Sequence, residues 1–430
     1  MRRPISLLVC VALTLVATIA WAQALPSVRP EQVGLSPERL DLVSSMLRAE
    51  IEKGKFPGAV ALVGRKGRVA YFEAFGHRDK AAGAPMARDT VFRIYSMTKP
   101  LVSVAAMMLM EDGKLVLTDP VSKFLPQFSK LQVSVPQVDS TFARVRYTLV
   151  PAEREPTIQD LLRHTSGLAY GELTMNSPVK EGYARAGVYQ PDGLPFDARG
   201  LTPAEQVERM AKVPLAQQPG TVWEYSLSSD VLGRVVEAAS GVPLGEFLNK
   251  RLFTPLKMVD SGFWLEKEKM ARVAETAPGH PIKVIDVSAA PKNHSGGAGA
   301  VSTTMDFARF CQMLLNGGQL DGARVMSRTT VALMTSDHLA GISTPSTPGE
   351  LLLGTRGYTF GLGFAVRQGP GVAAVPGSAG EFMWAGFAGT YFWVDPKEDV
   401  VGVLMTAAPS PERAYYRRLF KQLTYQAITD

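Results

Sequence analysis

Runs of alternating apolar residues stand at both ends of this chain, and helical patterns fill the long stretch between them. Near the start, G-A-V-A-L-V and R-V-A-Y-F-E-A-F flank a short turn at Arg65, Lys66 and Gly67, which is how a hairpin reads. Near the end, Y-T-F-G-L-G-F-A-V, E-F-M-W-A-G-F, G-T-Y-F-W-V and V-V-G-V-L-M read as strands, with a turn at Asp395-Pro396-Lys397. Strands joined by tight turns pair antiparallel, so a doubly wound parallel sheet is excluded. The expected fold class is α/β (α+β): a discontinuous α/β domain from residues 30–94 and 297–430, with a mostly helical domain, 95–296, inserted. Ser36-Pro37-Glu38 supplies an N-cap serine and a first-turn proline for a helix carrying Leu40, Val43, Leu47 and Ile51. A second Ser-Pro-Glu, starting at Ser410, is expected to cap a final helix.

Where the first strand region gives way to helix, the chain reads F-R-I-Y-S-M-T-K-P, followed by an apolar run from Leu101 to Met110. Ser96 and Lys99 form an S-x-x-K pair at the first turn of that buried helix. Residues three apart share a helix face, so the ammonium of Lys99 can reach the Ser96 hydroxyl. The positive end of the helix dipole favours a developing alkoxide there. A serine hydroxyl needs a neighbouring base before it attacks a carbonyl, and an amine in an apolar helix is suited to that work. Two more features join the pair. Tyr225 opens Y-S-L between a proline-glycine turn and the helical run from Asp230 to Ala239, and Trp384, Ala385 and Gly386 form W-A-G on a strand.

With D-L-L-R-H-T-S-G-L (160–168), Y-S-L-S-S-D-V-L-G (225–233) and S-G-G-A-G-A-V-S-T (295–303), these motifs cover the chain from about residue 30 to its end. In that order the chain resembles the serine β-lactamase and penicillin-binding-protein superfamily, and within it the class C-like family VIII carboxylesterases. The resemblance implies a β-lactamase/transpeptidase-like fold, with the active site in the cleft between two lobes. It implies acyl transfer through an acyl-enzyme on Ser96, with Lys99 and Tyr225 sharing the roles of general base and acid. The backbone N–H groups of Ser96 and Phe387 would form the oxyanion hole, each donor typically worth ~3–4 kcal/mol in the transition state. Trp384, Ala385, Gly386 and Leu227 would contact substrate.

Two departures shape the substrate expected. Leu227 stands where class C β-lactamases have the asparagine of Y-x-N, and Trp384 stands where they have the lysine of K-T-G. Losing the amide and the cation weakens recognition of anionic β-lactams, while an indole offers an apolar wall. Short-chain esters are therefore the expected substrates, with weak cephalosporin hydrolysis as a side activity. A β-lactamase, D,D-peptidase or amide hydrolase on the same nucleophile is the alternative, and a non-catalytic penicillin-binding-like sensor the second. Retention of Ser96, Lys99 and Tyr225 together argues against the sensor.

The chain also excludes several classes. There is no G-x-S-x-G nucleophile elbow. The five histidines (His77, His164, His280, His294, His338) are dispersed, with no metal-ligand spacing, so no metal or cofactor is expected. His164 reads as a helix-ending structural residue and His294 as a loop histidine. The run Gly296 to Gly299 reads as a tight turn between helical and sheet regions. The formal charge of +6 includes Arg2 and Arg3 and forms no polybasic tract, which gives nucleic-acid binding no support.

M-R-R-P, the apolar stretch L-L-V-C-V-A-L-T-L-V-A-T-I-A and the small residues of A-W-A or A-Q-A read as an export signal over residues 1–22. Cleavage after Ala22 or Ala24 would give a secreted or periplasmic protein without a stable membrane anchor. Cys10 lacks the small residues of a lipidated cysteine. Removing it leaves Cys311 alone, a small apolar core residue with no disulfide partner. The expected partner is a small-molecule ester or amide, and oligomeric state is open.

Overall fold

The computed structural model describes residues 24–139, 144–189, 194 and 196–430. Residues 1–22, expected to be an export signal, and Cys10 therefore lie outside the described residues. Eight strands form one antiparallel sheet assembled from the two ends of the chain: β1 (Gly58–Arg65), β2 (Arg68–Asp79), β3 (Ala84–Pro85), β4 (Tyr358–Phe360), β5 (Ala365–Arg367), β6 (Phe382–Ala385), β7 (Tyr391–Asp395) and β8 (Val400–Thr406). Their spatial order is β4-β5-β6-β7-β8-β1-β2-β3, so the first strand is zipped to the last. Leu62 faces Phe72 on one side and Val403 on the other. The hairpin between β1 and β2 turns through Lys66 and Gly67, both with positive φ, as a tight two-residue turn requires.

Five helices frame this sheet and the cleft: α1 (Pro37–Glu52), α2 (Thr98–Glu111), α3 (Ser228–Ser240), α4 (Thr304–Leu315) and α5 (Arg413–Tyr425). Neighbouring residues on a strand point to opposite faces. On β7, Phe392 meets Phe307 of α4 at 5.0 Å, while the next residue, Trp393, meets Phe420 of α5 at 5.3 Å. Helices thus cover both faces, which explains why β1, β7 and β8 are buried at every position and do not alternate between buried and exposed. Ser36 caps α1, accepting the Arg39 amide at 3.3 Å, as its sequence predicts. Cys311 is buried on α4 with a free thiol.

Three local features differ from expectation. The run Y-T-F-G-L-G-F-A-V is two short strands, β4 and β5, because the chain reverses at Gly361-Leu362-Gly363. Gln132–Asp139 and Arg144–Pro151 pair as antiparallel strands, a hairpin inside a region expected to be mostly helical. Pro136 interrupts that alternation and disguises an isolated pair of strands. The final helix starts at Arg413, because the Ser410 hydroxyl accepts the Glu412 amide at 3.1 Å in a preceding turn.

A buried polar cluster fixes α5 to the sheet. Glu381 accepts Lys421 Nζ at 2.5 Å, Tyr358 OH at 2.5 Å and Tyr425 OH at 2.9 Å, with no solvent exposure at either end of the ion pair worth the name. Removing one partner would leave the other charge buried and unpaired. Lys421→Met is therefore expected to destabilise the fold by roughly 3–5 kcal/mol, read as a lower urea midpoint. An unchanged midpoint would show that this cluster does not hold α5.

Candidate active site

A short antiparallel pair, Val91–Arg93 with Val301–Thr303, leads directly into the S-x-x-K segment. Tyr95 then takes φ 44°, a left-handed conformation that is sparsely populated for a bulky residue. It is held by burial and by edge contacts to Phe387 (5.5 Å) and Phe196 (6.1 Å). After this bend the chain enters a 3-10 turn, Tyr95–Met97, that runs into α2. Ser96 and Lys99 end on one face, with Lys99 Nζ 3.2 Å from Ser96 Oγ. Tyr225, at the loop before α3, places its hydroxyl 2.7 Å from the same Oγ. The three residues singled out from the sequence therefore meet at one oxygen.

Lys99 is buried, and its ammonium has three acceptors for its three protons: Ser96 Oγ, Tyr170 OH at 2.9 Å and Gly297 O at 2.8 Å. Sequence reasoning missed Tyr170. Burial pushes its phenol well above the ordinary range, so it meets Lys99 as a neutral hydroxyl. Asp230, on the first turn of α3, was missed as well. Its Oδ1 accepts Ser295 Oγ at 2.7 Å and the Gly297 amide at 3.2 Å, which turns the Gly297 carbonyl onto Lys99. A Cβ at Gly297 would lie 2.2 Å from Asp230 Oδ2, so only glycine permits this approach. The glycine run is the tight turn expected of it, and it also delivers a ligand to the amine.

Aromatic rings grip Tyr225. His164 (5.1 Å), Tyr170 (5.1 Å) and Trp384 (5.4 Å) surround its ring, and Lys99 Nζ lies 4.7 Å from the ring centroid. His164 is structural, as expected: buried at φ 57°, it bonds Ser226 Oγ through Nδ1 at 3.0 Å. Burial, aided by the charge on Lys99, holds its pKa well below the ordinary 6.5. The unfolded chain takes up a proton there as pH falls through about 6.5 and the folded chain does not. Stability from this residue is present above that pH and is lost in acid. His164→Asn, which tolerates positive φ, is expected to flatten the fall of Tm between about pH 7 and 5. His294, pushed down to about 4 by burial, would supply part of the slope that remains. An unchanged slope would contradict the assignment to His164.

The Ser96 hydroxyl opens on a pocket of about 180 Å³. Ala385, Gly386 and Phe387 wall it, opposite Tyr170 and Phe196. Trp384 and Leu227 do not. Trp384 is wholly buried between Tyr225 and Phe360, and Leu227 is buried at the start of α3. Trp384 is therefore a support behind Tyr225 and not a wall for substrate, because packing turns its indole inward. A Cβ at Gly386 would meet Thr390 Oγ1 at 2.1 Å and Ile94 O at 2.4 Å, which explains the glycine of W-A-G.

Two arginines of α5, also missed, reach this pocket. Arg413 lies over the Phe387 ring at 5.6 Å. Arg417 is buried and binds three carbonyls: Gly386 O at 2.5 Å, Leu352 O at 3.2 Å and Thr390 O at 3.4 Å. A trans peptide points its C=O and N–H in opposite directions, so anchoring Gly386 O aims the Phe387 N–H away from the guanidinium. His294 lies in a separate cavity against Phe263, away from Ser96. No cluster that could hold a metal ion is present among the described residues.

Comparison with known proteins shows the family and the fold. The Beta-lactamase family matches residues 43–426. Esterase EstB of Burkholderia gladioli is 32% identical over 404 residues, covering 86% of this chain and 93% of that protein. A lovastatin esterase of Penicillium rubens is 29% identical over 388 residues, covering 84% and 91% respectively. Among solved structures, EstCE1, a hydrolase with promiscuous acyltransferase activity, superimposes with a TM-score of 0.73 at 27% identity, over 90% of this chain and 99% of that one.

Proposed function

The chain belongs to the β-lactamase family and is an enzyme of its serine hydrolase or acyltransferase kind, and from this premise we propose an exported carboxylesterase acting on short-chain esters. The observation that carries the proposal is the convergence of Tyr225 OH (2.7 Å) and Lys99 Nζ (3.2 Å) on Ser96 Oγ. Ser96 attacks the ester carbonyl while its proton passes to the Tyr225 oxygen, which acts as the base in its deprotonated form beside the Lys99 ammonium, 4.7 Å from the ring centre. The developing oxyanion is held by the N–H groups of Ser96 and Phe387, the latter oriented by Arg417 through the shared peptide. The alcohol leaves with a proton from Tyr225. Water, activated by the same pair, then releases the acid from Ser96.

Esters are favoured over β-lactams because position 384 carries a buried indole where a lysine would face the substrate carboxylate. Arg417 binds backbone carbonyls through both Nη atoms, and Arg413 donates to Ser410 O at 2.8 Å and lies over the Phe387 ring. The aromatic box around the small pocket suits a short acyl chain. Export to the periplasm rests on the basic and apolar pattern of residues 1–22 and is tested by the N-terminal sequence of the secreted protein.

Initial rates on p-nitrophenyl butyrate and nitrocefin, with Ser96→Ala as blank, test the substrate class. Ester turnover well above nitrocefin turnover is expected. Nitrocefin rates equal to or above ester rates would make the protein a β-lactamase. No Ser96-dependent rate on either would favour a peptidase or a non-catalytic protein.

A further inference from the structure

Past Tyr225 the catalytic pocket adjoins a second cavity of about 510 Å³. Tyr225, Leu173 and Leu351 line both spaces, so the two adjoin at these side chains. The second cavity is walled by Trp223, Met175 and Pro345, and by Pro136 and Tyr147 of the hairpin of Gln132–Asp139 with Arg144–Pro151. Tyr147 ties that hairpin to the rim by donating to Met175 O at 3.0 Å. The rim is apolar and uncovered: Met175 is 91% exposed and Leu173 53% exposed. Polar side chains are interspersed among them, Thr174, Asn176 and Ser346 together with Glu224 and Gln217, which bond to each other at 3.3 Å. An apolar cleft with a few convergent polar groups is the usual make-up of a small-molecule site.

We propose that this groove holds the alcohol half of the substrate, a bulky and largely apolar alcohol with a polar substituent, while the small pocket holds the acyl half. The proposal rests on the serine esterase reading and specifies its substrate. The direction follows from the chemistry. The carbonyl carbon must sit at Ser96 Oγ with its oxygen toward the Ser96 and Phe387 amides, on the small-pocket side. As the Ser96 Oγ–carbon bond forms, the bond from that carbon to the alcohol oxygen breaks, and the Ser96 proton ends on the departing oxygen through Tyr225. The group that receives this proton leaves beside Tyr225, and beyond Tyr225 lies the groove. Size agrees: drug-sized ligands occupy roughly 300–1,000 Å³, a range that includes the groove and excludes the small pocket. Run backwards, the groove seats an acceptor alcohol. That alcohol takes the acyl group from Ser96 and returns its proton there, so acyl transfer needs no further site.

The test is the ratio of kcat/KM for menthyl butyrate over ethyl butyrate, followed by pH-stat, beside the ratio for ethyl decanoate over ethyl butyrate. The alcohol ratio is expected above one and the acyl ratio below one. Met175→Asp, at an exposed position that tolerates charge, should lower the alcohol ratio at least tenfold and move the acyl ratio less than twofold. An alcohol ratio that Met175→Asp leaves unchanged, or an acyl ratio that falls instead, would overturn the assignment. Loss of all ester turnover would overturn the esterase reading separately. Menthol binding to Ser96→Ala would then decide the groove: at least tenfold weakening by Met175→Asp supports it, and equal affinity refutes it.

Discussion

Ser96→Ala is expected to abolish ester turnover, lowering kcat on p-nitrophenyl butyrate by at least about ten-thousandfold while the protein stays folded. Ser96 Oγ is the one atom that both Lys99 and Tyr225 reach. Ser96 is only partly buried, and alanine fits the turn before α2, so the urea midpoint should change little. Residual activity reflects carbonyl polarisation by the remaining amides, which do not need the hydroxyl. A variant that keeps more than about a hundredth of the rate would remove Ser96 from the chemistry. A lost rate accompanied by an unfolded protein would be uninformative by itself, so circular dichroism belongs to the measurement.

Lys99→Ala is expected to cost about 10²- to 10⁴-fold in kcat, the range of a lost general acid–base group. The loss has two sources in this geometry. The cation beside Ser96 Oγ and the Tyr225 ring disappears, and three acceptors aimed at it, Ser96 Oγ, Tyr170 OH and Gly297 O, are left without their donor. Stability should fall as well, by an amount typical of orphaned buried acceptors, about 1–3 kcal/mol. Tyr225→Phe removes a proton carrier but keeps the ring packed among His164, Tyr170 and Trp384. It should therefore lower kcat with little change in stability. Near wild-type kcat in either variant would contradict the proposed proton path.

The meeting of Ser96, Lys99 and Tyr225 was legible in the sequence because its information is local. Ser96 and Lys99 are fixed by helical spacing alone, and Tyr225 and W-A-G sit in short motifs whose order is distinctive. The antiparallel sheet was legible for a similar reason, since apolar, β-branched and aromatic runs with tight turns between them mark β1, β2, β7 and β8. What escaped depends on packing between distant segments. Tyr170 lies 71 positions from Lys99, and nothing near it signals that its hydroxyl will meet an amine. Asp230 lies 67 positions from Gly297, whose amide it holds, and Arg417 lies 31 from the carbonyl it anchors.

Trp384 and Leu227 show a different limit. Their positions beside the motifs were right, but the direction of their side chains was not, because the surrounding rings turn the indole behind Tyr225 and the start of α3 buries the leucine. The hairpin of Gln132–Asp139 with Arg144–Pro151 escaped because an isolated two-stranded unit carries a weak pattern, broken here by Pro136. That same hairpin frames the groove proposed for the alcohol, so the least legible element of the fold is tied to substrate choice.

The central claim, that Ser96 becomes covalently acylated, is tested most directly with an alkylphosphonate p-nitrophenyl ester, which traps a serine nucleophile without later hydrolysis. Peptide mapping after inactivation is expected to place one phosphonyl group on Ser96, in step with the loss of esterase activity and more slowly in Lys99→Ala. Full inactivation with Ser96 unmodified, or the label on another residue, would contradict the account.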